Sequence, residues 1–232
     1  MNLKRKFSLQ IVLLLTAAIG CGAQSADLEK VLTVMDRQAS SFRNAKADFD
    51  WDQYTKVVDE HDQQKGTIYF RREGKSGIEM AADVRDPKPP KYVLFGNGLV
   101  KLYETGPDKV TEYNAGKNKA EFESFLVLGF GGSGQDLKKQ FEVKYAGTEN
   151  VQGVTAAKLI LMPKSQKVQN MFDQIILWID PNKGVSVQQQ FLTRDGDYRL
   201  AKYSNIVLNG NIPDDVFKLK TTSKTTTARP QG

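Results

Sequence analysis

The chain has 232 residues, with 33 Lys and Arg against 27 Asp and Glu, a formal charge of +6, and a single histidine and a single cysteine. One cysteine closes no disulfide within the chain, and one Cys with one His cannot supply a tetrahedral metal site. Nucleic acid is not implied either, because Lys4, Arg5 and Lys6 stand in a segment read below as removable, and without them the surface mixes both signs almost evenly.

Residues 1–26 read as a secretion signal: Lys4, Arg5 and Lys6, an apolar run from Ile11 to Ile19, then small residues around Ala23, Ser25 and Ala26. The run is shorter than the about 20 residues that cross a bilayer as a helix. Ala18-Ile19-Gly20-Cys21 also ends the run as a bacterial lipobox does, so Cys21 is a candidate for lipidation. Both readings place the working protein outside the cytoplasm, in the periplasm or, through Cys21, anchored to the envelope.

From Asp27 to Lys46, Leu28, Val31, Leu32, Met35, Ala39 and Phe42 recur at three- and four-residue steps, which predicts an amphipathic helix capped by Asp27. The period then changes. Phe49, Trp51, Thr55 and Val57 alternate with Asp48, Asp50, Asp52 and Lys56, the pattern of a strand with one wet face. Short β-rich runs follow at Thr67–Arg72, Ile78–Val84, Tyr92–Phe95, Leu99–Tyr103, Val110–Tyr113, Phe141–Tyr145, Ala156–Met162, Gln174–Asp180, Val185–Thr193, Tyr198–Leu208 and Val216–Lys220. Gly96-Asn97-Gly98, Pro181-Asn182-Lys183-Gly184 and Asp195-Gly196-Asp197 read as hairpin turns. About ten or eleven strands in one domain over residues 27–220 predict a mainly β (α+β) fold, a curved antiparallel sheet or unclosed barrel. Residues 221–232 form a polar tail, either an edge strand or disordered.

A helical interruption at Lys117–Gly129 carries Phe122, Phe125 and Leu126, and Gln135–Gln140 adds a short helical turn. With the first helix, these segments either cover the concave face of the sheet or complete its core. Gly129, Gly131 and Gly134 match G-x-G-x-x-G, but the match follows a helix and lacks a βαβ unit, so it reads as a flexible lid loop rather than a phosphate site. His61 lies in a polar connection, Val58–Gln64, without a nucleophile in reach, and Asp214-Asp215 read as turn-capping acids. These features point to a protein that is not an enzyme and needs no cofactor.

In sequence order, "ADF" at Ala47-Asp48-Phe49, "GTIYFRR" at Gly66–Arg72, "LFGNGLVKLY" at Leu94–Tyr103, "LILMPK" at Leu159–Lys164, "RDG" at Arg194-Asp195-Gly196 and "NIPDDVFKL" at Asn211–Leu219 resemble the LolA-type outer-membrane lipoprotein carriers. The resemblance implies an unclosed antiparallel barrel with lid helices over an apolar cavity that holds lipoprotein acyl chains. A monomeric carrier of this kind takes its cargo from an inner-membrane lipoprotein-releasing transporter and gives it to an outer-membrane acceptor. A membrane-anchored acceptor or an envelope lipid-sensing lipoprotein of the same fold is the alternative, favoured if Cys21 is acylated. The family's lid-latching arginine matches Arg72, with Arg71 adjacent, although Glu73 replaces the usual following proline and Thr221 to Thr227 replace the usual ending. The implied cavity residues are Trp51, Ile68, Phe70, Met80, Leu94, Leu102, Leu161, Ile176 and Trp178, with Phe122, Phe125 and Leu126 on the lid helix.

Overall fold

The computed structural model describes residues 19–74, 77–114, 116 and 128–230, with side chains from residue 25 onward. Helix α1 (Ile19–Ser41) leads into a meander of β1 (Asn44–Thr55), β2 (Glu60–Glu73), β3 (Gly77–Asp86), β4 (Lys91–Gly96), β5 (Leu99–Glu104) and β6 (Lys109–Asn114). Helix α2 (Gly134–Gln140) opens a second meander of β7 (Phe141–Val151), β8 (Val154–Pro163), β9 (Gln174–Asp180), β10 (Val185–Leu192) and β11 (Tyr198–Leu208), with α3 (Gln166–Gln169) between β8 and β9. A 3-10 turn (Asp214–Phe217) and β12 (Thr226–Ala228) end the described chain.

All twelve strands form one sheet in the order β12-β6-β5-β4-β3-β2-β1-β11-β10-β9-β8-β7. Pairing of β1 with β11 joins the meanders, and β12 and β7 remain as separate edges, so the barrel is unclosed. Hairpin chemistry sets the register: Asn97 and Gly98 both adopt positive φ (53° and 76°), which a two-residue turn between twisted strands requires. Gln152 and Gly153 make the same turn between β7 and β8, at φ 50° and 85°.

The two halves of the inner face differ. Over β7–β9, α1 inserts Val31, Leu32 and Met35 against Leu159, Leu161, Ile175, Leu177 and Ile179, and α2 adds Leu137. Met35, Leu159, Leu161, Ile175, Leu177 and Ile179 are fully buried. Ser133 caps α2, its hydroxyl accepting the Asp136 N–H at 3.0 Å. Toward β1–β3, Phe42, Phe49, Ile68, Phe70 and Phe130 form a second core. Phe130 stacks on Phe70 with centroids 5.2 Å apart and meets Tyr203 edge-on at 4.8 Å.

Several expectations are corrected. The first helix ends at Ser41 rather than Lys46, because Ala45 and Ala47 are buried in β1 and Asn209 accepts the Arg43 N–H at 2.8 Å while donating to the Ser41 carbonyl. Ala and Lys favour helix locally, and strand pairing overrides them. Asp27 lies within α1, 3.0 Å from Lys30, and is not its cap. His61 belongs to β2, directly opposite Tyr54, rather than to a loop. Val216–Lys220 is not a strand. The 3-10 turn there is held by Arg71, which pairs with Asp214 and lies 4.2 Å over the Phe217 ring, and the tail pairs in parallel with β6 instead. Asp108 anchors that tail by accepting from Thr222 and Thr225, each at 2.6 Å.

Gly129 and Gly131 adopt positive φ (79° and 88°), and a Cβ at either would meet Ser186 at 2.4 Å or Phe42 at 2.7 Å. A Cβ at Gly134 would meet Leu32 at 2.7 Å. The three glycines therefore thread a tight passage between α1 and the sheet. They are a packing device rather than the flexible loop expected. Phe122, Phe125 and Leu126 lie outside the described residues.

The outer face of β8–β10 carries its own cluster of Val151, Ala156, Ile176, Trp178 and Val187. The Trp178 indole donates to Glu149 at 2.6 Å, and Lys158 lies 5.2 Å over its ring while pairing with Glu149. The bond from Lys158, reinforced by Trp178, holds the Glu149 carboxyl below the ordinary glutamate value. A depressed carboxylate contributes stability above its unfolded value and loses it as pH falls through the folded value. The Trp178 emission of a Trp51→Phe variant is therefore expected to stay constant at neutral pH and to change only below the ordinary glutamate range, a change that Glu149→Gln abolishes. Leu161→Ala is expected to cost about 2–5 kcal/mol in denaturant unfolding, the usual cost of a cavity in a filled core.

Candidate functional site

Between the filled half and the β3–β5 side of the trough, the described residues leave the inner face hollow. A cavity of about 450 Å³ is walled by Trp51, Ile68, Phe70, Met80, Val93, Val100, Gln189, Phe191, Ala201 and Tyr203. That volume falls within the roughly 300–1,000 Å³ typical of small-ligand pockets. The lining is predominantly apolar, and the cavity opens where Gln53, Tyr54, Met171, Thr193, Asp197, Tyr198 and Arg199 form a rim.

Cross-strand register orders this wall in rungs. Gln53 faces Arg199 at the mouth, Trp51 faces Ala201 one rung in, and Phe49 faces Tyr203 deeper still. Odd positions of β1 point inward because the intervening Asp48, Asp50 and Asp52 require the wet face, where Asp50 pairs with Lys65 at 2.9 Å and Asp52 meets His61 at 2.8 Å. Phe49 and Trp51 stack at 4.3 Å, which fixes the indole against the wall. The Trp51 Nε1 is buried with no hydrogen-bond partner in good geometry among the described residues.

Two polar side chains stand deep in the wall. Gln189, 5% exposed, donates through Nε2 to the Leu128 carbonyl and accepts a 3.4 Å contact from the Tyr203 hydroxyl. Burial pushes the Tyr203 hydroxyl well above the ordinary tyrosine pKa, an effect that the nearby Trp51 indole offsets only in small part, so it stays a neutral donor. Neither group is a nucleophile. No group of three or more His, Cys, Asp or Glu side chains among the described residues is placed to hold a metal ion.

Trp51, Ile68, Phe70 and Met80, named from the sequence, line this cavity. Leu94 faces the opposite side of the sheet, beneath Lys218 and Leu219, while its neighbour Val93 faces the cavity. Leu102, on the Val100 side of β5, does not reach the cavity wall. Leu161 belongs to the packed core under α1, and Ile176 and Trp178 belong to the outer cluster. The sequence reading missed Val93, Val100, Phe191, Ala201 and Tyr203, and it also missed the rim residues Gln53 and Arg199.

Arg72 meets the end of α1. Its Nε donates to the Phe42 carbonyl and its Nη2 to the Ala39 carbonyl, both at 3.2 Å, and its backbone N–H donates to the Arg43 carbonyl at 2.8 Å. A cation there complements the partial negative charge of the helix C-terminus. Arg71 points elsewhere, with Nε donating to Glu79 at 2.8 Å beside its contact with Asp214. Cys21 lies in the first turn of α1, where only the backbone is described.

No protein-family model matches the chain, and no curated protein matches its sequence. Solved structures do match. MucB is 13% identical with TM-score 0.53, over 84% of this chain and 63% of that chain. An uncharacterized conserved protein from Thermus thermophilus is 12% identical with TM-score 0.53, over 89% of this chain and 100% of that chain. The LolA superfamily protein NE2245 from Nitrosomonas europaea matches 83% of this chain and 97% of that chain at 10% identity and TM-score 0.38. Likenesses at this identity concern the fold alone: an open barrel, a single curved antiparallel sheet with helices against its inner face.

Proposed function

We propose that this protein is a periplasmic carrier that shelters the acyl chains of lipoproteins in its cavity and moves them from the inner to the outer membrane. The observation that carries this reading is the hollow half of the trough, about 450 Å³, walled by aromatic and aliphatic side chains and open at one rim. Each methylene moved from water into an apolar site gains about 0.8 kcal/mol, so an acyl anchor cannot cross an aqueous compartment unsheltered. The LolA-type motifs support the same reading. The exchange partners it implies are a transporter that releases lipoproteins from the inner membrane and an acceptor at the outer membrane.

A carrier must also release its load. Arg72, joining β2 to the last carbonyls of α1, is proposed as the latch that holds the helix end against the sheet as the cavity fills and empties. Ligand release requires only a small free-energy difference between the two arrangements.

The cavity assignment is tested with the two tryptophans, which lie on opposite faces of the sheet. Titration of the Trp178→Phe protein with an acylated lipopeptide is expected to shift and quench Trp51 emission, whereas the Trp51→Phe protein stays silent. Silence in both proteins would dismiss acyl binding in this cavity. Arg72→Leu is expected to keep the circular dichroism of the fold and lose about 1 kcal/mol of stability. It is also expected to speed amide exchange at the end of α1 and to change the rate of lipopeptide release. An unchanged release rate removes the latch role and leaves binding untouched.

A further inference from the structure

The rim of the cavity carries a cation that no carboxylate among the described residues pairs with. Arg199 is exposed at the mouth, where its Nη2 donates to Gln53 Oε1 at 3.3 Å, and among the described residues it has no ion-pair partner. The nearby carboxylates are otherwise engaged. Asp197 accepts the Lys56 backbone N–H at 2.9 Å, and Asp62, opposite Gln53 on β2, accepts from Gln64 at 2.8 Å. Asp52 faces the other side of the sheet and meets His61.

One rung further in, the Trp51 ring lines the cavity wall, with its N–H buried near the Tyr203 hydroxyl and closed to the cavity space. Two residues along a strand span about 7 Å. Arg199 thus presents a charged fork at the mouth, one rung above the Trp51 ring and the apolar side chains of Ile68, Phe70 and Met80. A guanidinium pairs best with a carboxylate or phosphate.

We infer that the cavity accepts acyl ligands with an anionic head, Arg199 meeting the head at the mouth. This inference rests on acyl binding in the cavity as proposed above, and it adds anionic lipids to the lipoprotein anchors as ligands. The anionic head is either the carboxylate of a free fatty acid or the phosphate of a phospholipid.

Equilibrium binding of the full chain to four pyrene-labelled probes of one chain length tests it: the fatty acid, its methyl ester, the fatty alcohol and the lysophosphatidylglycerol. At least one of the two anions is expected to bind about tenfold more tightly than the alcohol, the gain of one charge-assisted pair. Arg199→Gln is expected to reduce that ratio to near unity while alcohol affinity holds, and Arg199→Lys to restore part of it. A stronger preference for the acid assigns the head to a carboxylate, and a stronger preference for the lysophospholipid assigns it to a phosphate. Equal binding of alcohol and both anions, or a ratio that survives Arg199→Gln, overturns the inference while leaving acyl binding intact. Failure of every probe to bind removes the acyl-binding reading and the inference with it.

Discussion

One helix cannot cover a twelve-stranded trough, and much of the architecture depends on that mismatch. An α-helix with its side chains is about 10–12 Å across, and neighbouring strands are about 4.8 Å apart, so a helix blankets two or three strands. Helix α1 does this over β7, β8 and β9, where its stripe of Val31, Leu32 and Met35 meets fully buried leucines and isoleucines. Among the described residues, the inner face across β1, β11 and β10 and on toward β5 is left to smaller devices. Phe42 and Phe130 close the border of the filled half, and beyond them the described residues leave the apolar wall open. Function is therefore proposed where the packing stops.

The border depends on close backbone approach. Gly129 and Gly131 bring the chain against Ser186 and Phe42 so that Phe130 reaches full burial behind Phe70 and Tyr203. A side chain at either glycine would displace Phe130 and merge core and cavity. The glycine pattern that resembles a phosphate loop is thus explained by steric demand, and the buried amide of Gln189, bonded to the Leu128 carbonyl, ties the same segment to β10.

Strand succession was legible in the sequence because turn residues punctuate it, and Asn97-Gly98 alone specifies one hairpin. Which face points inward was legible only where polar and apolar residues alternate. In β1 the aspartates mark the outer face, so Trp51 falls correctly on the cavity side. In β9 the run Ile175, Ile176, Leu177, Trp178, Ile179 is apolar on both faces, because α1 covers one and the Val151 cluster sits on the other, and period two carries no information there. The same holds for Val93 and Leu94 in β4, since the carboxy-terminal segment covers the outer side. Arg199 was illegible for another reason. A polar residue at a cavity rim has the same local pattern as one on an open surface, and only the register opposite Gln53 distinguishes them.

The cavity keeps its shape because its walls are braced from behind. Tyr203 is held edge-on by Phe130 and reaches Gln189 through its hydroxyl, Phe70 is stacked on the same Phe130, and Trp51 is stacked on Phe49. These contacts restrict collapse of the wall, so little reorganisation opposes filling it. The rim, by contrast, includes Gln53, Met171 and Arg199, long side chains with many rotamers and few contacts of their own. A rigid apolar floor under an adaptable polar rim separates the two demands on a carrier. In the proposed carrier, burial of methylenes would supply most of the affinity, and the rim would decide which heads are admitted at modest cost to release.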